Sequence, residues 1–365
     1  MKYFVLFSSL LFSNILMAYD DRENVKFNGV QYPISGDVSV SEKSDILFET
    51  PLSEKINDKF NRVVLQGEVN DRNIDFELWI VPSTSTVVKS SNSVLCAYIG
   101  ESKIYPNGRF WARFDITQPT NFIKFVVINH GVKVDIFKIK IYEMQVLNIS
   151  KKKENEVIIT STQEYSLGDD IPFKLIRRDE WKANPPKEDY IKHSPARITI
   201  HHTAGHYPED YEDAVSEVQF IQDYHQNAKG WIDIGYHFLI GPLGDIFEGR
   251  PVLVVGAHVA GKNTNNVGIS IMGNYHPPVN NEVTQKSIDS IITLIKYLKD
   301  KFKIPKNEIY GHRDLGATDC PGDLLYSKIP EIKDKVFTDT ATVRVNVNLD
   351  DKDLENKIKN AVYNW

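Results

Sequence analysis

Cysteine is nearly absent from this chain: there are two, Cys96 and Cys320, among 365 residues. That excludes a small disulfide-framed scaffold, which needs several bridges to make up for a thin core. The two thiols lie far apart and fall in different predicted domains, so they are not expected to pair. Excess positive charge is lacking as well. The formal net charge is −6, which excludes a general nucleic-acid binder, since that needs a basic surface. Long apolar runs are confined to the N-terminus, MKYFVLFSSLLFSNILMA. This run is short and broken by serines and an asparagine, so no stable membrane span is expected. Its order of lysine, apolar stretch and small residues near Ala18 reads as a signal peptide, placing the protein outside the cytoplasm, secreted or periplasmic. No cysteine follows it, so a lipid attachment site is excluded. Convincing internal repeats are missing too.

What remains has the composition of a soluble globular protein, long enough for two or three domains. Residues 20–60 are polar and irregular, with few periodic signals. From Val63 to Val146 short β runs follow one another: RVVLQGEV, DFELWIV, RFWARFDI, NFIKFVVIN and VDIFKIKIYEM. Several alternate with period two between turn residues, which predicts a β-sandwich or small jelly roll. Trp79 and Trp111 are read as its core rather than as a sugar platform. KKKENE at 151–156 marks a charged break. From Phe173 the pattern is mixed α/β. RITIHH (197–202), YHFLI (236–240), VGISIMG (267–273) and EIYGH (308–312) read as strands, and DIFEGR (245–250) as a hairpin partner. Residues 210–228 carry Ala214, Val218, Ile221 and His225 at helical spacing. A longer helix presents Ile288, Ile291, Ile292, Ile295, Leu298 and Phe302, and stops at Lys303–Pro305. The expected organisation is a signal peptide over 1–18, a β-sandwich-like domain over 19–150, a linker over 151–172, an α/β domain with a mixed sheet flanked by helices over 173–335, and a tail over 336–365. VRVNVNL in that tail reads as a short strand before a helix.

The chemistry concentrates in GHRDLGATDCPG at 311–322, where His312 and Cys320 flank one loop. Zinc takes histidine nitrogen and cysteine sulfur, and catalytic sites use three such ligands with one position open. A third ligand must come from elsewhere. His201 and His202 end the strand RITIHH and point to opposite faces, so only one can join. The apolar company of His202 suggests that it faces a core, but periodicity alone does not decide between the two.

The ordered motifs ITIHHTAG, WIDIGYHFLIGPLGDIFEGRP, GAHVAGKNTNNVGISIMGNY and GHRD…TDCPG resemble the zinc amidase domain shared by peptidoglycan recognition proteins and phage lysozyme-type amidases. LIRRDEWKANPP at 175–186 resembles the leading segment of the recognition-protein branch. The resemblance spans about Phe173 to Lys335, and nothing comparable covers 19–172. It implies zinc bound by His201, His312 and Cys320, with Tyr236 functional and Thr318 at a position that varies in the family. It implies N-acetylmuramoyl-L-alanine amidase activity on peptidoglycan, on the amide between N-acetylmuramic acid and L-alanine. The alternative is a recognition module that binds muramyl peptides without cleaving them. Non-catalytic members typically lose the cysteine ligand, which this chain keeps.

Two histidines and one thiolate would leave zinc with a net positive charge, suited to polarise an amide carbonyl. Tyr236, with an ordinary pKa of about 10, is expected to hydrogen-bond the attacking water or the oxyanion rather than act as base. Thr318 is a possible second donor. His258, Asn263 and Trp231 are candidates for the glycan groove. His237 is read as structural and His206 as lying on an exposed loop. The sequence departs from the family at Lys182, where glycine is usual. It also lacks the cysteine pair after Thr203 that is common in animal members, which points to a bacterial source. A monomer is expected, without nucleic-acid partners.

Overall fold

The computed structural model describes residues 23–40, 45–57, 59–82, 96–149 and 163–338. The signal peptide, most of the linker with KKKENE, and the tail strand and helix lie outside the described residues. Among those described, no helix is long and apolar enough to cross a membrane.

The N-terminal region is all β. Its strands are β1 (Glu23–Asn24), β2 (Ile34–Ser39), β3 (Ile46–Glu49), β4 (Arg62–Val69), β5 (Ile74–Pro82), β6 (Cys96–Ile99), β7 (Glu101–Ile104), β8 (Arg109–Asp115), β9 (Thr120–Asn129) and β10 (Ile136–Leu147). One antiparallel sheet runs β1-β10-β4-β8-β7 with β2 also on β10, and the other runs β3-β9-β5-β6. Alternate residues of both sheets meet between them. Val63 and Leu65 of β4, Phe76, Leu78 and Ile80 of β5, and Phe125 of β9 share one core, as two packed sheets require. The five runs read from sequence are β4, β5, β8, β9 and β10. The irregular reading of residues 20–60 is corrected: β1, β2 and β3 lie there. Both cysteines are free thiols. Trp111 is buried, and the half-buried Trp79 donates its indole N–H to Glu77 at 2.7 Å.

The C-terminal region holds β11 (Arg197–His202), α1 (Tyr211–Asp223), β12 (Phe238–Ile240), β13 (Ile246–Glu248), β14 (Asn266–Ile271), α2 (Gln285–Phe302), β15 (Ile309–Gly311), α3 (Asp323–Tyr326) and α4 (Ile329–Phe337). Its sheet runs β13-β12-β14-β11-β15. β11 is parallel to β14 and β15, and β13 closes an antiparallel hairpin with β12. Ile198 and Ile200 share a face with Val267, Ile269, Ile271 and Ile309, and that face packs on Ile288, Ile291 and Ile295 of α2. Thr284 caps α2 by accepting the Ser287 N–H, and Lys303 ends it in a left-handed turn.

The two regions share buried contacts. Val64, Trp111 and Leu147 join one apolar cluster with Ala214, Val218, Phe220 and Ile221 of α1. His206 is not on a free loop. It is half-buried, 2.9 Å from a Glu68 carboxylate oxygen and 2.7 Å from one of Asp213. The expectation of an exposed loop fails because the loop rests on the sandwich at Glu68, near the end of β4.

Candidate metal centre

The centre lies at the C-terminal ends of two neighbouring parallel strands, where open α/β sheets leave a crevice. β11 ends in His201 and His202, and β15 runs directly into His312. Period two turns His202 to the α2 side and His201 to the other. There the ligand atoms of His201, His312 and Cys320 all lie within 4.8 Å of one another. His201 Nδ1 is 3.6 Å from Cys320 Sγ, close to the separation of about 3.5 Å that two corners of a tetrahedral zinc site require. The donor set therefore fits a thiophilic dication.

Cys320 sits on a turn shaped by its neighbours. Thr318 Oγ1 accepts the Cys320 N–H at 3.2 Å, and Arg313 donates its N–H to the Cys320 carbonyl at 2.9 Å. Gly322 has φ +86°, and a Cβ there would lie 2.4 Å from the Tyr275 backbone, so only glycine closes this turn. Burial pushes the Cys320 thiol up to about 12, although the His202 N–H and the Arg313 charge pull the other way. At neutral pH the sulfur would keep its proton until a cation displaced it.

The opposite histidine behaves as the apolar company predicted. His202 is buried, its Nδ1 accepts the Tyr275 N–H, and burial followed by the nearby His276, His312 and Arg313 charges holds it down to about 3.

Tyr236 is brought to the cluster: its ring centroid is 5.3 Å from that of His201. Trp231 is half-buried and its ring lies tilted against that of His225, centroids 4.6 Å apart. Thr318 is exposed on the cysteine turn. His258 and Asn263 are not in a groove. They are 3% and 9% exposed, and the Asn263 side-chain oxygen is taken by the backbone N–H groups of His258 and Val259. Their place as glycan contacts is corrected on that ground: they stand behind His201. His237 is buried and satisfied by backbone on both nitrogens.

One residue the sequence reading missed is His225. Helical spacing places it on the buried stripe of α1, yet that helix passes into a π-helical turn at Tyr224–Ala228, and this sets His225 between Trp231 and Tyr236. The signal available was a polar ring on an otherwise apolar stripe. π-turns inside helices are frequent at functional sites.

Comparison with known proteins bears on the region that holds this site. Residues 192–323 match the family model described as N-acetylmuramoyl-L-alanine amidase. Peptidoglycan-recognition protein SC2 of Drosophila melanogaster is 36% identical over 157 residues, which is 42% of this chain and 84% of that protein. The SC2 protein of Drosophila simulans is 40% identical over the same shares. A human protein named N-acetylmuramoyl-L-alanine amidase is 28% identical over 200 residues, 54% of this chain and 34% of its own length. The chain belongs to the peptidoglycan recognition protein and type 2 amidase family. These relatives are animal proteins and lend no support to a bacterial source.

Proposed function

We propose that this protein is a zinc-dependent N-acetylmuramoyl-L-alanine amidase that releases stem peptides from peptidoglycan. The observation that carries the reading is the complete His201, His312 and Cys320 set, converging at the open end of the sheet. Residues 173–335 form the catalytic domain, and residues 19–150 form a β-sandwich docked on it. His201, His312 and Cys320 would hold the zinc. When bound, zinc supplies Lewis acidity and a water of lowered pKa.

The chain's own residues do the rest. Tyr236 would donate its phenolic hydrogen bond toward the attacking water or the developing oxyanion. Thr318 shapes the cysteine turn and keeps a hydroxyl proton to give. Trp231 would flank the muramyl group, and the buried His225 packs against both Trp231 and Tyr236. The signal peptide places the enzyme outside the cytoplasm, and the chain acts as a monomer.

A second reading, recognition without hydrolysis, is favoured by the names of the fly relatives. One experiment separates the two. The full chain, with zinc content measured, is incubated with intact peptidoglycan beside Cys320→Ala, and products are read by mass spectrometry. Stem peptides with a new alanine N-terminus are expected only from the unmutated, zinc-loaded protein. Binding to the wall with no peptide released would replace the amidase by a recognition module.

A further inference from the structure

We infer that His258 is a positioning residue for the metal centre: through a ring-to-ring hydrogen bond it holds His201 with the Nδ1 lone pair aimed at the cluster. The inference rests on the zinc reading above. The sense of the bond is decided from its far end. A carbonyl oxygen only accepts, so His258 Nε2, 3.0 Å from the Asn266 carbonyl, carries the proton. In a neutral ring Nδ1 is then bare and accepts. The atom it faces, at 2.9 Å, is His201 Nε2. His201 therefore carries its proton on Nε2. That leaves the lone pair on Nδ1, the atom 3.6 Å from Cys320 Sγ. One backbone carbonyl selects the tautomer two rings away.

The His258 ring is held on every side. The side chain of Asn266, whose carbonyl starts the chain, accepts from Thr199 Oγ1 at 2.8 Å and donates to the Lys262 carbonyl at 2.9 Å. Two glycines make room for the ring. A Cβ on Gly268 would lie 2.6 Å from His258 Cγ, and one on Gly256 would lie 2.7 Å from His258 Cδ2. His237, 5.5 Å away between ring centroids, takes no part. Its Nδ1 accepts the Gly268 N–H and its Nε2 meets the Val254 carbonyl.

Metal-bound histidines usually donate their second N–H to a carboxylate, a carbonyl or water. A neutral imidazole in that place fixes the ring without adding negative charge beside the thiolate. The positive charge left on the bound ion is then not diminished from behind.

The test has two readouts that do not need activity. Long-range nitrogen NMR on the metal-free full chain is expected to show His201 with Nε2 protonated and Nδ1 bare. Zinc affinity by chelator competition is then compared among wild type, His258→Leu and His258→Asn. The leucine variant is expected to bind zinc about 10–100-fold more weakly, the usual loss for an outer partner. The asparagine variant, which keeps an acceptor oxygen near the Nδ1 position, is expected to recover most of that loss. A proton on Nδ1 of His201 in the wild type, or unchanged zinc affinity in a folded leucine variant, would overturn the inference. Should the leucine variant not fold, the wild-type spectrum and the asparagine variant decide it. A wild type that binds no zinc would instead overturn the zinc reading, and the NMR spectrum would still report the tautomer.

Discussion

Lys182 shows how a single residue records a departure from its family. It is exposed and has φ +58°, in the left-handed region that favours glycine. The backbone bends there because the turn closes with the Lys182 N–H on the Asp179 carbonyl at 3.1 Å and the Ala183 N–H on the Arg178 carbonyl at 2.8 Å. A side chain in that region costs roughly 1–2 kcal/mol, and glycine gives back roughly 0.5–1 kcal/mol through its freer unfolded chain. Lys182→Gly is therefore expected to stabilise the fold by up to about 1 kcal/mol, read as a raised denaturation midpoint. A lowered midpoint would mean that the lysine has a use which its backbone does not reveal. The same scale explains what sequence reading could and could not find. His312 and Cys320 share one loop motif, but the choice of His201 over His202 as third ligand came from the family resemblance and not from periodicity. The place of His258 was not legible, because beyond the neighbouring Gly256 it depends on a carbonyl at Asn266 and on space left by Gly268.

Elements were legible where one face alone decides their pattern. α2 shows this: Ile288, Ile291, Ile295 and Leu298 form its buried stripe, and the predicted stop at Lys303 is its left-handed cap. The edge strands were not legible. β2 buries Ile34 but leaves much of the rest open, and it exists because its residues pair with β10 in antiparallel register, a contact far away in sequence. Its Gly36 lies so close under Phe48 that a Cβ would meet the ring at 2.7 Å, a spacing invisible to period-two counting. At this scale the N-cap of α2 is a direct test. Thr284 Oγ1 accepts the Ser287 N–H at 3.1 Å and donates to the Pro242 carbonyl at 2.5 Å. Thr284→Ala is expected to cost about 1–2 kcal/mol of stability, with zinc affinity unchanged because the cap stands at the helix start away from the ligands. Denaturant unfolding and chelator competition on the same preparation would check both halves.

At the scale of the whole molecule, the sandwich and the α/β region are joined by charge as well as by apolar surface. Arg109 of β8 and Glu217 of α1 are each 1% exposed and meet at 2.9 and 3.0 Å. The Gly67 carbonyl accepts from Arg109 Nη1 and the Gln66 side-chain oxygen from Nη2. Burial would lower the Arg109 pKa, but the Glu217 charge and hydrogen bonds raise it, while burial raises the Glu217 carboxyl against the pull of the Arg109 charge and hydrogen bonds. Removing one partner leaves a buried charge alone, and Glu217→Leu is expected to cost about 3–5 kcal/mol.

Beside it lies a pair that titrates. His206, on the loop after β11, faces Glu68 of β4, Asp213 and Glu217 of α1, with Tyr142 of β10 donating to Glu68. Burial would lower the His206 pKa, but its bonds to Glu68 and Asp213 and the charge of Glu217 raise it from 6.5 to about 9. Burial would raise Glu68, but hydrogen bonds from His206 and Tyr142 and the Arg109 charge lower it from 4.5 to about 2. The signs then fix the window. A raised histidine stabilises fully below its unfolded value and loses that contribution as pH climbs through about 9. A lowered carboxylate stabilises fully above its unfolded value and loses it as pH falls through about 2. Both contributions are whole only from about pH 4.5 to 6.5, the two unfolded values. The difference in melting temperature between wild type and His206→Ala is expected to be largest in that window. It should shrink steadily toward pH 9. This loop leaves β11 after His202, next to the proposed ligand His201, and its ionic tie runs to Glu68 of the sandwich. A flat difference for His206→Ala would mean that the loop is held by packing alone, and that the sandwich is fixed to the α/β region only through the Arg109–Glu217 pair and the apolar cluster around Trp111.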